Sequence, residues 1–122
     1  MKAQELDKQS LERYTRAAVA SSREVIRSYS TSFGLATALL AQPIRSQVQN
    51  IYALVRVADE IVDGAAAGAL GPNSSLQSGS ELNKLEAETY KAMESGFSTN
   101  LVVHAFAHTA RETGIKREIV EP

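Results

Sequence analysis

The sequence contains no cysteine and no tryptophan. The first absence excludes disulfides, thiolate metal sites and cysteine nucleophiles together. Charge of one sign is missing too: 13 Lys and Arg stand against 14 Asp and Glu, a formal net charge of −1. Affinity for a phosphate backbone comes from many cations releasing counterions, so no nucleic-acid partner is expected. No apolar run approaches the ~18 residues of a membrane span, and Met1 to Ser10 is too polar for a signal peptide. Hydrophobic residues make up 43% of the 122, which suits a soluble, cytoplasmic, globular chain. Aspartate is scarce as well. Only Asp7, Asp59 and Asp63 occur among the 14 acids, and the last two lie within five residues of each other.

What is present is helical periodicity. Residues from about 10 to 29 carry Leu11, Tyr14, Ala18, Val25 and Tyr29 at helical spacing, with Arg13, Arg16, Arg23 and Arg27 between them. Ser30-Thr31-Ser32 interrupts the run, because hydroxyl side chains favour helix N-caps. A short apolar helix from Phe33 to about Ala41 follows, and Pro43 suits the first turn of the next helix. That helix, Pro43 to Asp63, has one apolar stripe of Ile44, Val48, Ile51, Val55 and Val62. Leu54, Val57 and Ile61 form a second stripe roughly opposite, and Arg45, Gln49, Tyr52, Arg56, Asp59, Glu60 and Asp63 form a polar strip between. A helix apolar on two sides is expected to lie between neighbours. Gly64 reads as its left-handed stop.

Residues 64–79, rich in Gly, Ala, Ser, Pro and Asn, are expected to form a flexible loop. Ser78 and Glu81 have capping-box spacing, opening a helix to about Ser95 with Leu82, Leu85, Thr89 and Met93 inward. Gly96 ends it. Ser98 or Thr99 is expected to cap a helix over 100–113, with Val103, Phe106, Ala107 and Ala110 in the core and Gly114 as its stop. Lys116 to Pro122 reads as a helix beginning. No internal repeat or heptad array is visible, and no alternating run insists on a strand. The fold class is all-α.

Asp59 and Asp63 stand at i and i+4, so both carboxylates project from one helical face. Like charges at that spacing, and an acid in the last turn, each cost a few tenths of a kcal/mol. A divalent cation would remove the conflict, since Mg²⁺ takes one or two carboxylates and fills its octahedron with water and phosphate oxygens. Arg56, on the same strip, offers a planar fork for such oxygens. The alternative is a wet acidic strip with Arg56 paired to Glu60. His104 and His108 share the i, i+4 spacing of helical metal ligands, but no third ligand is apparent and a structural role is the expectation. No G-x-S-x-G elbow, GxGxxG or P-loop is present.

The stretch from Tyr29 to Gly64 resembles the first active-site region of the squalene/phytoene synthases. Their Ser-x-Ser-Phe element corresponds to Ser30-Thr31-Ser32-Phe33. Their Tyr-Ala-x-x-Arg-x-x-Asp-x-x-x-Asp run corresponds to Tyr52-Ala53-Leu54-Val55-Arg56-Val57-Ala58-Asp59-Glu60-Ile61-Val62-Asp63. The wording RVADEIVDG is closest to bacterial phytoene synthases. The resemblance implies an all-α isoprenoid synthase fold and head-to-head condensation of two prenyl diphosphates, geranylgeranyl diphosphate to phytoene. It implies that Asp59 and Asp63 bind Mg²⁺, or Mn²⁺ in its place, and that Arg56 neutralises the diphosphate. Ser30 and Ser32 would donate hydroxyls to it, Tyr52 would border the reacting carbons, and Phe33 would line the prenyl cavity. Peripheral contact with a membrane is implied by a lipid product.

Family members are more than twice this length and carry a second aspartate-rich helix. Here no second DxxxD exists, so residues 1–122 are expected to be the N-terminal portion of such a domain, inactive alone and prone to self-association. Squalene or dehydrosqualene synthesis from farnesyl diphosphate, with NADPH if squalene-type, is one alternative. A non-catalytic helical interaction domain is the other.

Overall fold

From Lys2 to Tyr29 neither glycine nor proline interrupts the chain, and the computed structural model forms one long helix there, α1 (Lys2–Tyr29). The structure describes residues 2–71 and 74–120. It continues as α2 (Thr31–Ala38), α3 (Ile44–Asp63), α4 (Ala65–Leu70), α5 (Ser74–Ser95), α6 (Leu101–Thr113) and α7 (Arg117–Val120). The described residues contain helices and no strand, as the all-α reading requires. No helix among them is long and apolar enough to cross a membrane.

The core is built around α6, which packs against α1, α3 and α5. Val103 and Ala107 of α6 meet Ala92 of α5, with Leu54, Leu85 and Met93 packed partly buried around them. Phe106 and Ala110 are buried on the same helix. Asn100, rather than Ser98 or Thr99, caps α6, its carboxamide oxygen accepting from the Val102 and Val103 amides. Ser98 serves one step earlier: its hydroxyl accepts from the Asn100 N–H at 3.0 Å. Gly114 closes the helix in the left-handed region, at φ 78°.

Polar groups also join the helices, and two of these joints lie deep in the bundle. His104 is buried: its Nδ1 accepts from the Ser98 N–H at 3.2 Å, so Nε2 carries the proton and donates to Thr15 Oγ1 at 2.9 Å. Tyr14 stands edge-on to the ring, 4.7 Å between centroids. Burial disfavours the imidazolium and holds the pKa of His104 below its ordinary value, and the charge of His108 adds to that. His108 is exposed and faces Glu112 at 3.6 Å. One histidine is thus a buried strut and the other a surface residue, and the pair is no metal site. The second joint is Asn50 of α3, whose Nδ2 donates to Thr109 Oγ1 of α6 at 2.9 Å.

Several sequence expectations need correction. Ser22 and Ile26 take buried places on α1, whereas Leu11 and Tyr29 are exposed. α1 begins well before Ser10 because its first turns need no core contact to be helical; they are made of good helix formers. Residues 65–70 and 74–79 are helical where a loop was expected, because the Ala-rich segment GAAAGAL can form a turn and a half of helix. Pro72 and Asn73, within that expected loop, lie outside the described residues, as do Glu121 and Pro122 of the expected C-terminal stub. The capping-box pair Ser78 and Glu81 lies inside α5 instead of at its start.

The largest correction concerns α3. Its buried residues are Gln49, Asn50 and Ala53. Both apolar stripes are expected to lie against neighbours, yet the first faces out, with Ile44 55%, Ile51 36%, Val55 54% and Val62 58% exposed. The second stripe, Leu54, Val57 and Ile61, turns partly inward, as does Val48 of the first. Periodicity alone identified two apolar sides, but not which of them the bundle would use.

Candidate active site

Tyr52, Arg56, Asp59 and Asp63 recur at spacings of four, three and four along α3, so they share one flank of that helix. The flank runs between the buried Gln49 side and the exposed apolar stripe. At its N-terminal end it meets the corner where α1 ends and α2 begins. There Ser30 is the N-cap of α2, its Oγ accepting from the Phe33 amide at 3.1 Å. The cap fixes where Phe33 emerges, and the Phe33 ring stacks on Tyr52 with centroids 4.2 Å apart and planes 18° off parallel. Half-buried aromatic rings stacked in this way form a stiff apolar wall.

Arg56 lies one turn further along. Its guanidinium sits over the ring of Tyr29, 5.1 Å from the centroid, and reaches Glu60 at 3.4 Å. Its Nε is buried and has no hydrogen-bond partner among the described residues. A buried donor without an acceptor is costly, and an anion docking at Arg56 is one way to satisfy it. Asp59 and Asp63 follow on the same flank, both exposed. Among the described residues neither takes part in an ion pair. Two unpaired carboxylates a turn apart suit a hard cation whose remaining ligands are water and phosphate oxygens. No group of three or more His, Cys, Asp or Glu among the described residues could hold a metal ion by itself. The fit is therefore to a cation shared with an anionic ligand.

The structure thus brings Ser30 and Phe33 of the α1–α2 corner against Tyr52 and Arg56 of α3, with the two aspartates further along. Ser32 sits exposed in the first turn of α2, with no hydrogen bond linking it to the others among the described residues. Two contributors stand outside the sequence-based set. Tyr29, expected in the core, is instead exposed beneath Arg56; its one signal is its position directly before Ser30. Glu60 both pairs with Arg56 and accepts from the Ala65 N–H at 3.1 Å, which fastens α4 to the end of α3. The Arg56–Glu60 pair is the one that the wet-strip reading anticipated. It coexists with the cluster and accounts for only one of its acids.

Gly64 sits at this junction with φ −135° and ψ −111°, outside the left-handed region expected for it. Its role is close approach: a Cβ there would collide with Glu60 Oε2.

The family model for squalene/phytoene synthase matches residues 26–122. That range covers Ser30, Phe33 and the whole of α3. No curated protein and no solved structure matches the chain. With most of its length inside the family match and the matched motif residues clustered at one corner of an all-α bundle, the chain belongs to the squalene/phytoene synthase family, prenyltransferases that condense prenyl diphosphates head to head.

Proposed function

We propose that the α3 flank and the α1–α2 corner bind the diphosphate of a prenyl substrate, and that the reaction served is the phytoene type, from geranylgeranyl diphosphate, in carotenoid synthesis. The observation that carries this reading is the convergence of Ser30, Phe33, Tyr52 and Arg56 beside two unpaired aspartates. Arg56 offers its guanidinium to phosphate oxygens, held in place by Tyr29 below and Glu60 beside it. The Ser30 hydroxyl, already accepting from Phe33, still has its proton to donate to an oxygen of the ligand. Ser32 adds a second hydroxyl from the same turn. Phe33 and Tyr52 would form an apolar wall on one side of the carbon that loses diphosphate. Asp59 and Asp63 would hold Mg²⁺, or Mn²⁺, which withdraws charge from the leaving diphosphate. The RVADEIVDG wording supports the phytoene type over the squalene and dehydrosqualene types, of which the squalene type alone would call for NADPH. Peripheral membrane contact through the lipid product belongs to the same proposal.

The test is calorimetric titration of the purified chain with inorganic pyrophosphate. Binding is expected with Mg²⁺ and lost on chelation and in the Asp59→Ala, Asp63→Ala double variant. Binding that ignores both changes would overturn the reading. A geranylgeranyl thiodiphosphate that binds no better than its farnesyl counterpart would overturn the phytoene assignment alone. Because Asp59 and Asp63 face solvent, an allylic cation formed here would be captured by water. The 122-residue chain by itself is expected to bind diphosphate and yield no condensation product.

A further inference from the structure

We propose that this chain forms an antiparallel dimer through α3, with a second copy covering its outward apolar face. The proposal rests on the fold; because its two-fold draws on Asp59, the dimer and a cation held by Asp59 compete for that carboxylate, and the test is therefore made without metal or diphosphate.

Ile44, Val48, Ile51, Val55, Ala58 and Val62 are spaced 4-3-4-3-4 along α3, the a/d pattern that lets one helix lie along another. The run covers fewer than three heptads and includes an alanine, which is too little to announce a coiled coil in the sequence. In the structure this side of α3 is largely uncovered, with Val48 and Ala58 half-buried and the rest exposed. Four of its large side chains are exposed by a third or more, while the face opposite is anchored by Asn50 and Gln49. A soluble helix normally turns these faces the other way.

The stripe is also self-complementary. When a second α3 runs antiparallel about a point near Ala53, Ile44 meets Val62 of the partner subunit. Val48 then meets Ala58 of the partner subunit, and Ile51 meets Val55 of the partner subunit. Each layer pairs an a with a d position, as antiparallel helices do. The same two-fold places Arg45 beside Asp59 of the partner subunit, twice over. Neither residue has a charged partner in its own chain among the described residues; Arg45 uses only its Nε, on the Leu40 carbonyl. An isologous interface must offer each patch to itself, and this one does so in shape, in apolar content and in charge. In a parallel pair the flank that carries Arg45 and Asp59 would lie against the opposite flank of the second helix, and the two residues would not meet.

The experiment is sedimentation equilibrium of the purified chain without Mg²⁺ or diphosphate, so that its outcome is separate from the binding test. A dimer is expected at micromolar concentrations. Val55→Glu is expected to give a monomer with unchanged helical circular dichroism. Arg45→Glu should weaken association by more than about tenfold, and adding Asp59→Arg should restore it. The chain has no cysteine, so engineered thiols report register cleanly. Val48→Cys mixed with Ala58→Cys should form a disulfide-linked dimer, and neither should do so alone. A chain that stays monomeric at all concentrations, association that survives Val55→Glu, or self-linking of Val48→Cys alone would each overturn the proposal.

Discussion

α6 and α3 pack against each other in the bundle, and each is amphipathic, yet they are turned in opposite senses. α6 buries Val102, Val103, Ala105, Phe106, Ala107 and Ala110, and exposes Arg111 and Glu112. α3 buries Gln49, Asn50 and Ala53, and exposes Ile44, Ile51, Val55 and Val62. Hydrophobic burial orients α6. Hydrogen bonds help to orient α3, through Asn50 to Thr109 and Gln49 to Thr37. Polar anchors are directional, so they can fix the rotation of a helix that apolar contact alone would turn over. What they leave facing outward is the flank with Tyr52, Arg56 and the aspartates, together with the apolar stripe beside it. α6 holds the fold together; α3 presents the chemistry.

The strongest way to break this contrast is to place the same charge on each helix. Val103 is fully buried against Ala92 and Ala107. Val103→Asp puts a carboxylate there without a partner, and the expected loss of several kcal/mol should leave little folded protein at 25 °C. Val55→Asp, on the open face of α3, should shift stability by no more than about 0.5 kcal/mol in dilute monomer. Urea denaturation of both variants, followed by circular dichroism, makes the comparison. Similar losses at the two sites would mean that α3 is buried like α6.

The second test targets the anchor. Asn50→Ala leaves the buried Thr109 hydroxyl without its donor and should cost about 1–3 kcal/mol. Asn50→Leu combined with Thr109→Val removes both polar partners and should be far closer to neutral. If the apolar pair proves as damaging as the single truncation, the bond is not what orients the helix. Urea midpoints of the three proteins decide it.

The third prediction sets α6 against itself through pH. His104 is neutral in the fold and its pKa lies below the ordinary value, because burial penalises the charged ring. The unfolded chain therefore binds the proton more readily. The stabilisation is complete above the unfolded histidine pKa of about 6.5 and is lost as pH falls from there toward the folded value. The loss from this one group cannot exceed about 1.4 kcal/mol per pH unit. Urea midpoints at pH 7.5 and 5.5 should separate in the native chain and draw together in His104→Gln.

The sequence made some of this arrangement legible and concealed the rest. The inward positions of α6, the stop at Gly114 and the cap at Ser30 follow from local rules that the structure obeys. The motif from Ser30 to Asp63 was readable because its residue types are chemically demanding and its spacing is fixed by helices. The rotation of α3 was not readable, because a wheel with two apolar sides leaves the choice to Thr109 and Thr37, which lie far off in the chain. Tyr29 was assigned to the core for the same reason: periodicity counts an aromatic ring as apolar and cannot see an arginine arriving from another helix. Residues 64–79 misled in the other direction, since Gly and Ala together describe a loop or a short helix equally well.

The smallest effect is expected where the two ends of α3 differ. At its start, Arg45 Nε donates to the Leu40 carbonyl, a contact that a long side chain makes without constraint on its neighbours. At its end, Glu60 reaches the Ala65 amide only because Gly64 has no Cβ in the way. In Gly64→Ala the new methyl meets the carboxylate tip, which is flexible and can swing aside. The backbone there has negative φ, so alanine introduces no left-handed strain. What is lost is the acceptor for the first free N–H of α4, a capping contribution of about 1 kcal/mol, partly offset by the lower backbone entropy of the unfolded alanine chain. A net loss below about 1 kcal/mol, confined to α4, is expected. Hydrogen exchange should show faster exchange at Ala65 and unchanged protection across α6. Faster exchange in α6 as well would mean that the Glu60 cap supports the whole bundle, and that α3 contributes to the stability of the fold as α6 does.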